Sequence, residues 1–173
     1  MADHPDLAGV GAEMREEWRA ETEAATADAA EQWRHGRTLK DWLEERMHAG
    51  DRIAVVVGEQ RFTGLVEESG DDLIALQAFF GRVDIHLTGG LPFAIEIHEH
   101  ATSGGTRARE RRNFHDALMA RDGREVTVGT ILAHDGIDGT LYVGRDFVSI
   151  VAKLGAETVI PLQYVAWVSV LRS

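Results

Sequence analysis

From residue 12 to residue 35 the chain (AEMREEWRAETEAATADAAEQWRH) has no proline or glycine and is rich in alanine and glutamate. Helix propensity alone therefore predicts one long helix, ended by Gly36. Its apolar face is thin, with Met14, Trp18, Ala25, Ala29 and Trp33 on one side and Glu and Arg elsewhere. Such a stripe predicts a helix that lies on a surface, either that of its own chain or that of a partner or second copy. Thr38 is placed to cap a second helix, from Leu39 to about His48, with Asp41 at its third helical position. Leu39, Trp42, Leu43, Arg46 and Met47 give that helix a clear apolar face, and Gly50 closes it.

After Gly50 the period changes from helical to alternating. Ile53, Val55 and Val57 alternate with other residues, Phe62, Leu65 and Val66 follow across a turn, and Leu73, Ile74 and Leu76 follow Gly70-Asp71-Asp72. Val83, Ile85 and Leu87 alternate again. Strands this short are unstable alone, and their close spacing predicts small closed barrels. Residues 98–113 (HEHATSGGTRARERRN) break the pattern and read as a basic linker; Phe114 to Arg121 reads as a short helix before strands resume at Val126. The expected organisation is a helical segment over 1–37, a helix and barrel over 38–97, the linker over 98–113, and a second helix and barrel over 114–173. The fold class is mainly β with N-terminal helices (α+β).

The two β segments share a plan. Each follows a helix, and Phe62-Thr63-Gly64-Leu65-Val66 corresponds to Asp138-Gly139-Thr140-Leu141-Tyr142. Gly70-Asp71-Asp72-Leu73-Ile74-Ala75-Leu76 corresponds to Gly144-Arg145-Asp146-Phe147-Val148-Ser149-Ile150. The match carries one irregularity, six residues from Gly64 to Gly70 against five from Gly139 to Gly144. The glycines are expected where a strand bends sharply or a turn needs positive φ, and the aspartates where a turn backbone needs an acceptor. The second segment closes with a strand from Thr158 to Pro161, one turn of 3₁₀ at Leu162-Gln163-Tyr164-Val165, and a strand from Ala166 to Leu171.

This plan, and the segments GTLYVGRDFVSI and VIPLQYVAWV within it, resemble the Sm-like family. The nearest likeness is to a set of actinobacterial proteins with an N-terminal helix and two barrels of this type, some labelled Fis-type regulators. The resemblance covers nearly the whole chain and implies tandem Sm-like, SH3-like small β-barrels. RNA-binding members of the family place an asparagine shortly after the turn aspartate and a basic pair late in the fold. Ala75 and Ser149 stand near the first position, and Gly89-Gly90 and Tyr164-Val165 near the second, so the family's uridine pocket is not expected. Apart from Phe114 to Arg121 no helical stretch follows Gly50, so no helix-turn-helix supports the regulator label.

Composition narrows the chemistry. Cysteine is absent, which excludes disulfides, thiolate nucleophiles and cysteine-based metal sites. The formal charge of −11 repels polyanions on average, so nucleic acid would need a local basic patch. Arg107, Arg109, Arg111 and Arg112 are that candidate; the competing reading pairs them with Glu16, Glu17, Glu21, Glu23 and Glu31 of the acidic helix. His98 and His100 face one side of an extended segment and, with His86 or His115 as a third ligand, have the residue types for zinc. Two histidines at that spacing are a weak signal, and no metal or other cofactor is expected. Glu67-Glu68 and Asp71-Asp72 read as solvated turn carboxylates, and no G-x-S-x-G, H-E-x-x-H or P-loop occurs. No run of 18 apolar residues exists, and Asp3, Asp6, Glu13, Glu16 and Glu17 stand where a signal peptide would be basic and apolar. The expectation is a cytoplasmic, non-enzymatic interaction or regulatory protein. It binds a protein partner or itself, with Met14, Trp18 and Trp33 as the contact residues, and touches no membrane. The alternatives are a nucleic-acid-binding regulator using the arginine linker and, behind it, a metal-dependent enzyme at the His98 region.

Overall fold

A computed structural model describes residues 7–102, 104–105 and 112–170; of residues 7–15, 17 and 134 it describes the backbone alone. The chain divides into two compact units, one ending at Thr38 and the other beginning at Leu39. No helix among the described residues is long and apolar enough to cross a membrane.

The first unit is a single helix, α1 (Leu7–Gly36). It starts upstream of the alanine- and glutamate-rich stretch and runs through Gly9 and Gly11. Each glycine costs about 1 kcal/mol relative to alanine, and the strong helix formers that follow carry the helix past them because propagation is easier than nucleation. The Thr22 and Thr26 hydroxyls donate to the carbonyls of Trp18 and Thr22, both at 2.7 Å. The Arg37 guanidinium lies 4.1 Å over the Trp33 ring, a cation-π contact.

The second unit is mainly β. It contains α2 (Leu39–Ala49), α3 (Phe114–Met119) and ten strands: β1 (Arg52–Val57), β2 (Gln60–Ser69), β3 (Leu73–Ala78), β4 (Gly81–His86), β5 (Phe93–Glu99), β6 (Glu125–Thr130), β7 (Ala133–Val143), β8 (Phe147–Val151), β9 (Glu157–Pro161) and β10 (Val165–Ser169). The 3₁₀ turn at Leu162–Tyr164 stands where the sequence predicts it. Gly50 ends α2 with φ 80°, a left-handed conformation that glycine adopts without a Cβ penalty, and its N–H closes onto the carbonyls of Arg46 and Met47.

All strand pairings are antiparallel and belong to one open sheet, in the order β5-β1-β2-β3-β4-β10-β6-β7-β8-β9. The order is the same five-strand arrangement written twice, with β10 taking in the second half the place that β5 takes in the first. The registers of β3·β4 and β8·β9 agree residue by residue. Leu73 pairs with His86 as Phe147 pairs with Pro161, and Ala75 with Asp84 as Ser149 with Val159. The turn bonds repeat too: Gly70 N–H to Leu73 O at 2.8 Å and Gly144 N–H to Phe147 O at 2.9 Å, then Leu87 N–H to Asp72 O and Leu162 N–H to Asp146 O, both at 2.8 Å.

The irregular spacing has a structural cause. The β2·β3 register shifts between Val66 and Glu68, which makes Glu67 the extra residue of a β-bulge. In the β7·β8 pair Leu141 and Tyr142 run without interruption against Ile150 and Ser149.

Two hydrophobic clusters fill the two halves, and they exchange members across the middle. The first, built on Leu43 and Met47 of α2 with Ile53, Val55, Ile74, Leu76, Val83 and Ile85, receives Ala166 and Trp167 from the last strand of the chain. The second, built on Phe114, Leu118, Val126, Val128, Leu141 and Ile150, receives Leu73 from β3.

Candidate interaction surfaces

The central junction, where β4 meets β10, is the most specific arrangement in the molecule. Trp167 pairs with Ile85, Val168 with Asp84 and Ser169 with Val83, and Val170 N–H donates to Arg82 O at 3.2 Å. The Trp167 ring meets Phe62 edge-on at 4.9 Å. On the other face of β4 lies α3, whose Phe114 stacks flat on His86 at 4.3 Å. Phe114 N–H donates to Asp72 Oδ1 at 2.8 Å, so a turn aspartate of the first half caps the helix of the second. The sequence predicts that aspartate as an acceptor for its own turn; here it reaches across the junction.

Beneath α3 sits a buried charge cluster. Asp84 has no solvent contact; its Oδ1 accepts from Arg82 Nε at 2.8 Å and its Oδ2 pairs with Arg121. Arg82 also holds Glu68 at 2.7 Å and Glu67 at 3.5 Å, while Arg121 donates to Ala117 O at 2.8 Å. Glu68 is buried in β2, which corrects the reading of Glu67-Glu68 as a solvated pair: the bulge turns Glu68 inward onto Arg82. Burial pushes the Asp84 carboxyl up, against the two guanidinium groups that pull it down. Burial also pushes His86 down. Its Nδ1 lies 2.9 Å from Val165 O and its Nε2 2.9 Å from Thr88 Oγ1, so the neutral ring donates at one nitrogen and accepts at the other.

The candidate histidines are not brought together. His98 is exposed on β5, while His100 Nδ1 is 3.4 Å from Asp51 Oδ2. His86 is buried under Phe114, and His115 Nε2 meets Gly144 O at 3.0 Å. No group of three His, Cys, Asp or Glu side chains placed to hold a metal occurs among the described residues. Asp51 anchors the end of β5 instead. Its Oδ1 accepts from Ala101 N–H at 2.9 Å and its Oδ2 from Arg46 at 2.9 Å, contacts that hold its carboxyl below the usual range.

Arg107, Arg109 and Arg111 lie outside the described residues, as does the side chain of Met14. Arg112 is exposed and lines one cavity of about 240 Å³ with Arg82, Arg121, Arg124, Ala117 and Ala120. A larger groove of about 740 Å³ beside β6 and β7 mixes Arg124 and Lys153 with Glu125 and Asp138. Trp18 and Trp33 of α1 are exposed.

The remaining candidate surface is the pair of outer strands. Among the described residues β5 pairs only with β1 and β9 only with β8, and most residues of both are exposed. The sequence marks neither strand as an edge, since Ile95, Ile97, Val159 and Ile160 read like any other strand. No protein-family model matches the chain, and no curated protein matches it either.

Proposed function

We propose that the chain is a non-enzymatic interaction protein. In this reading two Sm-like barrels are fused edge to edge, and they bind a protein partner or a second copy through their outer strands. The exposed Trp18 and Trp33 of α1 offer a further contact. The observation that carries the reading is the state of the sheet ends: a strand with one unpaired side presents a row of N–H and C=O groups ready for another chain.

A second reading, a nucleic-acid-binding regulator, draws on the cavity that Arg112 and Arg124 share with Arg82 and Arg121. Arg82 and Arg121 are already engaged by Glu68 and Asp84, which leaves Arg112 and Arg124 as the exposed charges of that cavity. Titration with single-stranded RNA and duplex DNA over a range of salt separates the two readings. The protein-interaction reading expects binding no tighter than the roughly 10⁻⁴–10⁻⁶ M of non-specific contact at physiological salt. Tighter affinity that is lost on replacing Arg107, Arg109, Arg111 and Arg112 together would overturn it.

A further inference from the structure

The cavity of about 240 Å³ lies on the seam between the two halves of the sheet. Arg82 comes to it from β4, Arg121 and Arg124 from the turn between α3 and β6, and Arg112 from the residues ahead of α3. Val170, which follows β10, closes the wall and donates its N–H to Arg82 O at 3.2 Å. The backbone of Arg112 is set by the first half, since its carbonyl lies where a Cβ on Gly70 would stand 2.3 Å away. No carboxylate is among the described residues of the wall. Guanidinium groups only donate, so the polar side chains of the cavity ask for a group that only accepts.

The arginines are not equally satisfied. Glu67, Glu68 and Asp84 hold Arg82, and Asp84 also holds Arg121. Both contacts of Arg121, to Asp84 and to Ala117 O, use Nη1; its Nε and Nη2 have no hydrogen-bond partner among the described residues. Burial pushes the Arg121 guanidinium down against the pull of Asp84, and Arg82 adds a like charge beside it. Arg112 and Arg124 are exposed and have no ion pair among the described residues. In a chain of charge −11, two uncompensated cations at one cavity are a local exception. They match the charge of about −1.5 to −2 that a phosphate monoester carries at pH 7, whereas a single carboxylate leaves one of them unbalanced.

We propose that this seam binds a sugar phosphate, with the phosphate among the arginines and the sugar in the adjoining groove of about 740 Å³. The groove shares Arg124 and Val170 with the arginine cavity, so the two spaces meet at those residues. Its volume is that of a small-molecule site, while the arginine cavity has room for a headgroup alone. Val126 and Gly139 give the groove apolar surface, and Glu125 and Asp138 give it acceptors for hydroxyl groups. Asp138 takes the Thr127 hydroxyl at 2.6 Å through Oδ1, which leaves Oδ2 for a ligand. A nucleic-acid strand meets Arg112 and Arg124 at the surface, but Arg121 is only 8% exposed and is reached by a small group that enters the cavity. Because the walls come from both halves, a bound phosphate ties them together. The site does not depend on the protein-interaction reading above.

Calorimetric titration of the whole chain with ribose 5-phosphate, inorganic phosphate, ribose and adenosine 5′-monophosphate tests this. Ribose 5-phosphate is expected to bind one molecule per chain with a dissociation constant below about 1 mM, and to raise the melting temperature. Inorganic phosphate and ribose are each expected to bind at least about tenfold more weakly. Arg112→Ala and Arg124→Ala, both at exposed positions, are each expected to weaken ribose 5-phosphate at least about tenfold with unchanged circular dichroism. Arg145→Ala removes the same charge from an exposed turn outside the cavity and is expected to leave the affinity within about twofold. Nucleotide binding tighter than ribose 5-phosphate assigns the site to free nucleotides, and the reverse order to simple sugar phosphates; both support it. Absence of saturable binding by both overturns the proposal. So does an Arg145→Ala loss equal to that of Arg112→Ala, which means general charge attraction, or inorganic phosphate binding as tightly as the sugar phosphate. A single-stranded RNA that outcompetes ribose 5-phosphate at equal phosphate concentration also overturns it, in favour of the nucleic-acid reading.

Discussion

Asp84 receives a charge-assisted hydrogen bond from Arg82 and pairs with Arg121, both inside the sheet–helix interface. A buried carboxylate in such company is costly to desolvate, yet removing it takes the carboxylate partner from Arg121 and leaves Arg82 with Glu67 and Glu68 alone, which is costlier still. Asp84→Ala is expected to lower unfolding stability by about 3–5 kcal/mol, read from the urea midpoint; a loss under about 1 kcal/mol would mean that the cluster behaves as if solvated. His86 adds a pH dependence. Because burial lowers its pKa from the ordinary 6.5, the unfolded chain takes up a proton first as pH falls through that value. Stability therefore drops below pH 6.5 until the folded-state value is reached, and this step is expected to vanish in His86→Gln. The groups facing the ring are the Val165 carbonyl, the Thr88 hydroxyl and Phe114, with Asp72 as the nearby charge that partly opposes the shift. The sequence names His86 as a third zinc ligand and Glu68 as a solvated carboxylate, and neither reading points to the buried cluster. Glu68, Asp84 and Arg121 are of types that are mostly exposed, and only the bulge and the docking of α3 bring them inside.

Most of the short strands, both short helices and the 3₁₀ turn follow from local pattern, and the structure has them within a residue or two of where the pattern puts them; β7 starts at Ala133, five residues before the expected Asp138, and β5 runs to Glu99, into the stretch read as linker. The matched glycines are also real matches, although their reason differs from the expected one. Gly64 and Gly139 lie against the carbonyls of Gln77 and Val151, where an added Cβ would come within 2.5 and 2.6 Å. Gly70 and Gly144 do not have positive φ; they are small because Arg112 O and the Phe147 ring crowd them. Close approach is invisible in a single strand, since the crowding atom belongs to a neighbour. Gly129 is the sharpest instance: a Cβ there would stand 2.0 Å from Trp167 Cε2. Gly129→Ala must push that ring out of the first core, an overpacking cost of about 1–3 kcal/mol. The loss is expected to be non-additive with Trp167→Leu, since the smaller side chain leaves the new methyl room. A strictly additive double-mutant cycle would show that the two residues do not meet.

At the scale of the whole second unit, the sequence repeat marks two similar halves, and the natural reading is two self-contained barrels. The structure puts both into one sheet because β10 lies between β4 and β6. No local signal encodes that placement: β4 and β10 are separated by most of the second half, and alternation records which face a strand buries but not which strand it pairs with. The consequence is thermodynamic. Trp167 and Ala166 complete the first core and Leu73 the second, so neither half retains its full apolar burial without the other. A chain ending at Pro161 lacks β10 and leaves β4 and β6 as new edges, although β1 to β3 are untouched in sequence. If the halves were independent, amide protons of β1 to β3 would keep their protection in that truncated chain. Because the sheet is shared, protection is expected to fall in β1 to β3 as well as in β6 to β8, with a single broadened unfolding transition replacing the cooperative one.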